Sequence, residues 1–132
     1  MLFDGGDDSY CERTCAMLLV SGDNIDGDEF TRLLGVIPTE VAKAGACSCW
    51  RLSSESYLQS ANLERHIHWI LDQIADRKDV IKYLKEQRNC QVDLGCWWKG
   101  HPRVDEAGPI LTPETLRRVA DFHLNMIFYF MR

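Results

Sequence analysis

The 132-residue chain contains no apolar run near the ~18 residues that a membrane-spanning helix needs. Its first ten residues, "MLFDGGDDSY", are acidic and lack the basic segment of a secretory signal. These two absences predict a cytoplasmic protein. In a reducing cytoplasm the six cysteines are expected to stay free thiols, so their even number does not predict disulfides.

No motif of a known reaction occurs in the sequence, which has no P-loop, no nucleophile elbow and no glycine pattern for dinucleotides. A calcium loop of the EF-hand type needs an acid or Asn at its first position and Glu at its last. When Gly27 takes the glycine position, Gly22 and Leu33 fall at those two ends. We therefore predict no enzymatic activity and no cofactor.

The cysteines and histidines leave one alternative open. Structural zinc sites usually have ligand pairs separated by two to four residues. Cys47 and Cys49 are too close for this pattern, and Cys90 and Cys96 lie six apart on one predicted strand, where they read as small buried apolar residues. We predict no metal site, and the rival is a metal-binding or enzymatic domain that uses Cys47, Cys49 and the histidines.

Two histidines lie close together in a predicted helix. His66 and His68 are two residues apart, so their side chains point about 200° apart and share no ligand face. His68 is one turn before Asp72, which predicts a surface pair between these two side chains. A catalytic dyad is not supported, because no motif of an activated nucleophile accompanies the histidines.

Charge is distributed unevenly along the chain, whose net charge is −5. Residues 1–30 carry eight acids and one base, a net charge of −7, and the remaining residues carry 12 acids and 14 bases, a net charge of +2. An acidic end repels nucleic acid and attracts basic partners. The charge pattern therefore predicts a protein partner and no binding to nucleic acid or membrane.

Alternating and helical patterns predict four strands and three helical regions. The strands are predicted at residues 14–20, 47–54, 90–98 and 124–132. The helices are predicted after a cap at Asp26 or Asp28, over 62–76 with a continuation or a second helix from Asp79, and over 111–122. Residues 36–46 read as an irregular connection, because Pro38 and Gly45 interrupt them.

This order predicts a single α+β domain over residues 11–132, with a mixed, mostly antiparallel sheet of four to five strands and helices packed on it. Residues 1–10 are predicted to be a flexible acidic segment. Strands 14–20 and 124–132 are apolar on both faces, which predicts that they form the central pair. If helices cover only one face, the other face needs a partner or a second copy of the chain.

Two adjacent tryptophans lie on the predicted strand 90–98 and point to opposite faces. Trp98 shares its face with Val92 and Leu94 and is predicted to lie in the core. Trp97 shares its face with Asp93, and it is either covered by a loop or exposed. An exposed strand tryptophan suits a protein interface, so Trp97 is a candidate partner-binding residue.

The order of these segments resembles a bacterial domain-of-unknown-function family, catalogued as 4279. The matching pieces are "GDNIDGDEFTRLLGVIPTE", "CWRLSS", the helix that begins "LERHI", the strand "CQVDLGCWW" and "LTPETLRRVADFHLNMIFYFM". They cover about residues 12–131. The resemblance implies an α+β fold without a recognised catalytic set, so it assigns no site residues. This chain has "AGACSC" where the family usually has a plain glycine and a basic stretch.

Small size, an acidic end and the absence of catalytic motifs predict an interaction protein. Its sharpest form is an immunity protein that neutralises a cognate, basic toxin, such as a nuclease of a contact-dependent growth inhibition or other polymorphic toxin system. A structural homodimer is the remaining alternative. The candidate partner-binding residues are Asp23, Asp26, Asp28, Glu29, Asp93 and Trp97.

Overall fold

The computed structural model describes residues 11–44, 47–101 and 108–131. The predicted acidic segment, residues 1–10, lies outside them. The elements are β1 (Cys11–Gly22), α1 (Gly27–Leu34), β2 (Glu40–Ala44), β3 (Cys47–Ser53), α2 (Leu63–Gln73), α3 (Lys78–Glu86), β4 (Gln91–Gly100), α4 (Pro113–Asp121) and β5 (Asn125–Met131).

The five strands form one mixed sheet in the order β2-β3-β1-β4-β5. All neighbouring strands are antiparallel except β4 and β5, which are parallel. The predicted α+β fold with a mixed, mostly antiparallel sheet and helices packed on it is confirmed. No helix of the described chain is long and apolar enough to cross a membrane.

One face of the sheet, which we call the helix face, holds the hydrophobic core. Leu18 of β1 stands beside Leu52 of β3 and Leu94 of β4, and all three side chains are buried. The helices add the buried residues Phe30, Leu34, Ile67, Ile70, Leu71, Ile81, Leu84 and Val119 to the same cluster. Burial of each large apolar side chain stabilises the fold by about 1.5–3 kcal/mol. The face on the other side of the sheet is the open face.

The sequence-based prediction of the central pair is wrong for one of its two strands. β1 is central, as predicted, but its neighbours are β3 and β4, and the C-terminal strand β5 lies at the edge of the sheet. An apolar composition on both faces fits a central strand, but it does not require one. The prediction that β5 pairs with β1 in the centre is therefore wrong.

Strand β2 was not expected, because residues 36–46 read as an irregular connection. It pairs with β3 from Glu40, opposite Arg51, to Ala44, opposite Cys47. The segment "EVAKA" has little β propensity, so its pairing with a longer strand decides its conformation. Arg51 donates to Glu40 at 2.5 Å across this pair.

Three helices begin at capping residues that the sequence predicts. Asp26 accepts hydrogen bonds from the backbone nitrogens of Asp28 and Glu29, at 3.0 and 3.2 Å, and so caps α1. Asn62 caps α2 and Thr112 caps α4, with Pro113 at the first turn of α4. The long helical region is two helices, α2 and α3, rather than one continuous helix.

A polar network joins α4 to α2. The buried carboxylate of Glu64 accepts hydrogen bonds from the backbone nitrogen and the hydroxyl of Thr112, at 2.9 and 2.8 Å, and from the hydroxyl of Thr115. Arg118 donates to His68 Nδ1 at 2.9 Å and to Asp72 at 2.6 Å. His68 and Asp72 were predicted to pair directly, but each of them instead contacts the guanidinium group of Arg118.

Candidate binding surfaces

The acidic loop between β1 and α1 holds four of the predicted partner-binding residues. Two of them have structural roles: Asp26 caps α1, and Glu29 accepts a hydrogen bond from Arg88 at 2.6 Å. Asp23 and Asp28 are exposed, and their side chains make no hydrogen bond or ion pair with the described residues of the chain. The acidic surface available to a partner is thus centred on Asp23 and Asp28.

Asp93 is not available to a partner. It is only 4% exposed, and its carboxylate accepts hydrogen bonds from Gln91 at 2.8 Å and from Asn125 at 3.3 Å. The contact with Gln91 lies within β4, and the contact with Asn125 crosses the β4–β5 pair, in which Asp93 stands beside Asn125. Its assignment as a partner-binding residue is corrected: Asp93 holds the start of β5 against β4.

Trp97 lies on the open face, half-buried, while Trp98 is buried in the core as predicted. Trp97 stands beside Cys15 on β1, whereas Ser21, next to the acidic loop, stands beside Gln91. The six residue steps from Cys15 to Ser21 span about 20 Å of extended chain. The fold therefore separates Trp97 from the acidic loop, and the predicted residues form two sites instead of one.

A cavity of about 360 Å³ opens beside Trp97, between β1 and β3 on the open face. Residues of three strands and of two adjoining segments surround it. They are Arg13, Cys15, Met17, Thr39, Arg51, Ser53, Glu55, Ser56 and Trp97. The cavity thus combines two guanidinium groups, several hydroxyls and an indole ring.

The six cysteines are free thiols, and four of them are buried. Burial raises the pKa of the Cys15, Cys49 and Cys90 thiols, and it raises the pKa of Cys96 to about 12. The thiols of Cys15, Cys49, Cys90 and Cys96 are therefore protonated at neutral pH and are poor nucleophiles. The described residues contain no group of three or more side chains that could hold a metal ion.

Ser54 and His66 are in contact but do not form a catalytic pair that a substrate can reach. His66 Nδ1 lies 2.6 Å from the Ser54 hydroxyl, His66 Nε2 lies 2.8 Å from the Ser60 carbonyl, and Ser54 also accepts from the Ala16 nitrogen. Because the carbonyl requires a donor, Nε2 carries the proton and Nδ1 accepts from Ser54. Ser54 and His66 are 0% and 1% exposed. Their hydrogen bonds hold α2 against the sheet.

The outer edge of β5 is a surface that the sequence analysis missed. No described strand pairs with this edge. Four consecutive side chains, Phe128, Tyr129, Phe130 and Met131, are 36%, 38%, 62% and 43% exposed. The rings of Phe128 and Phe130 stack on the helix-face side, 5.8 Å apart. Tyr129 and Met131 lie on the open-face side, beside Trp97 and Lys99.

The composition of β5 shows that the strand lacks protection against pairing, although it does not reveal that the strand lies at an edge. Residues 125–131 contain no charged side chain and no proline, whereas natural edge strands often carry such protective residues. An edge without them is a template for pairing with another strand. The same uncharged composition also fits a central strand, so the position of β5 in the sheet cannot be read from it.

The comparisons with known proteins give a family and no activity. The family model described as "Domain of unknown function (DUF4279)" matches residues 12–129. The chain belongs to this family. No curated protein and no solved structure matches the chain.

Proposed function

We propose that the protein binds another protein by adding a partner strand to the free edge of β5. The observation that carries this proposal is the uncharged, seven-residue edge strand with four exposed large apolar side chains, Phe128 to Met131. Strand addition gives affinity through backbone hydrogen bonds and specificity through alternate side chains. Trp97, next to Tyr129 on the open face, extends the surface inward from the edge.

In its sharpest form, the proposal is that the partner is a bacterial toxin and that this protein is its immunity protein. The support is chemical: a toxin that acts on nucleic acid is usually basic, and Asp23 and Asp28 remain exposed on the acidic loop. Charge complementarity accelerates association, while buried apolar contacts hold the complex. The acidic loop lies at the other end of the sheet from Trp97, so it is suited to steering rather than to the contact with β5.

Growth rescue tests the immunity function directly. The product of the gene adjacent to this one is expressed as the candidate toxin in a sensitive host, with and without this protein. We expect that co-expression restores growth and that the two purified proteins form a stable complex. If growth is not restored although both proteins are made in soluble form, the immunity function is refuted. Formation of homodimers by this protein alone, seen by light scattering at micromolar concentration, would instead assign the β5 edge to a second copy of the chain.

The acidic loop has its own test in this system. Replacing Asp23 and Asp28 by asparagine removes charge and leaves the α1 cap, Asp26, in place. We expect slower association with a basic toxin at low salt, a difference that disappears at high salt, and little change in dissociation. An association rate that does not depend on these two charges would remove the loop from the binding mechanism while leaving the β5 edge untouched.

A further inference from the structure

We propose that the cavity beside Trp97 is a binding site for a small molecule that combines an aromatic ring with a carboxylate. The site requires no protein partner, so it is separate from strand addition at β5. Its volume of about 360 Å³ is within the usual range of ligand pockets, about 300–1,000 Å³, near the lower limit. The ligand is therefore small.

Two guanidinium groups converge on this cavity. Arg13 and Arg51 come from neighbouring strands, and both positive charges act on the Cys15 thiol, another cavity residue. Arg13 also pairs with Glu55, and Arg51 with Glu40. A guanidinium group has five N–H donors, and a carboxylate takes at most two in a bidentate pair. Donors therefore remain for a second anion.

The Arg51 side chain also contains a hydrogen-bond donor that lacks an acceptor among the described residues. Its Nε is buried and has no hydrogen-bond partner among the described residues. A buried donor without a partner costs free energy, and the usual remedy is an acceptor supplied by protein, water or ligand. A small rotation of the Arg51 side chain toward a carboxylate in the cavity would give this donor an acceptor.

The hydroxyl groups of the cavity also favour an acceptor-rich ligand. Thr39 Oγ1 accepts from the Ser53 nitrogen at 2.8 Å, and Ser53 Oγ accepts from the Glu55 nitrogen at 3.2 Å. Because each oxygen already accepts a backbone hydrogen bond, its own O–H is the group left to donate. The Ser53 side chain also hydrogen-bonds the Cys15 thiol, so the Thr39 hydroxyl is the one that can donate to a carboxylate oxygen.

The remaining cavity residues suit an aromatic ring. Trp97 and Met17 provide an indole and a thioether, which make favourable contacts with aromatic rings. Burial raises the pKa of the Cys15 thiol, so this residue brings no negative charge to the cavity at neutral pH. Two arginines and one acid, Glu55, line the cavity, and Glu40, outside the lining, pairs with Arg51. An anion would therefore be held by the guanidinium donors that these two pairs leave free.

Calorimetric titration with phenylacetate and its uncharged analogue phenylacetamide tests the site. We expect phenylacetate to bind at least about tenfold more tightly, because only the acid makes charge-assisted hydrogen bonds with the arginines. Binding should also shift the indole N–H resonance of Trp97. Arg51→Gln should weaken phenylacetate binding about tenfold or more and leave phenylacetamide binding unchanged.

Two matched variants separate a charge effect from a loss of structure. Glu40→Gln breaks the ion pair of Arg51 but keeps its guanidinium group, so phenylacetate should bind as well as before or better. Arg13→Gln provides a second charge deletion if Arg51→Gln does not fold, as judged by circular dichroism. Equal affinity for acid and amide, equal losses in Arg51→Gln and Glu40→Gln, or no binding at millimolar phenylacetate would overturn the proposal.

Discussion

The two edge strands of the sheet differ in length, charge and exposed surface. β2 has five residues, includes Glu40 and Lys43, and begins two positions after Pro38. β5 has seven residues, no charged side chain and four exposed large apolar side chains. Short length, charge and nearby proline are the features with which natural proteins prevent unwanted strand pairing. The β2 edge is protected in this way, and the β5 edge is not.

This difference teaches that the exposure at β5 is specific to one edge. If this fold tolerated unprotected edges in general, β2 would also be expected to lack charged side chains and a nearby proline. The four exposed side chains of β5 also lie on both faces of the sheet, so an added strand could pack against Phe128 and Phe130 on one side and Tyr129 and Met131 on the other. The contrast between the edges therefore supports a partner at β5.

The largest expected effect comes from placing the same charge on each edge. Phe130→Lys puts a lysine on the most exposed ring of β5, and Ala42→Lys puts one on the exposed middle of β2. We expect Phe130→Lys to weaken toxin binding by about 30-fold, because loss of a hot-spot residue costs about 2 kcal/mol. Ala42→Lys should change the affinity less than about twofold, as measured by calorimetry. Equal losses for both variants would contradict the asymmetry of the edges.

A medium effect is expected at Gly95, which lies under β5's Tyr129 on the open face. A Cβ at this position would lie 3.1 Å from Leu19 Cδ1 and 3.4 Å from both Met17 Cε and Tyr129 Cε2. Gly95→Val therefore overfills the space and should lower the free energy of unfolding by about 1–3 kcal/mol. Urea denaturation measures this loss. A variant as stable as the parent would show that Tyr129 is not packed against β4 and that the edge is free to rearrange.

The smallest effect is expected at the protected edge. Glu40→Gln removes the ion pair between Glu40 and Arg51, in which the side chain of Glu40 is 53% exposed and that of Arg51 is 40% exposed. Such exposed pairs contribute about 0–1 kcal/mol and are screened by salt. Urea denaturation of this variant should show a loss below about 1 kcal/mol that shrinks at high salt. A larger loss that is independent of salt would mean that β2 depends on this pair for its place in the sheet.

Sequence patterns predicted those features that depend on local periodicity and capping. The core stripe of α2, the caps Asp26, Asn62 and Thr112, and the burial of Trp98 follow from the spacing of residues along one element. Strand order is a property of distant segments, so the edge position of β5 could not be obtained in this way. The short strand β2 was missed for the same reason, since its partner β3 decides its conformation.

The candidate site was predicted only in part. Trp97 was correctly placed on the face opposite Trp98, because the two-residue period of a strand determines this. Asp93 could not be recognised as a buried residue, since its partner Asn125 lies 32 residues further along the chain. Arg13 and Arg51 come together with Trp97 only through the pairing of β1 with its two neighbours, so the cavity has no signature in the sequence.

Hydrogen–deuterium exchange of the complex with the toxin tests the central claim, that a partner strand is added to β5. A strand paired along this edge protects backbone amides that are otherwise open to solvent. The account predicts slower exchange at residues 125–131 in the complex and unchanged exchange at residues 40–44 on the opposite edge. Protection of the acidic loop or of β2, with exchange at β5 unchanged, would contradict it.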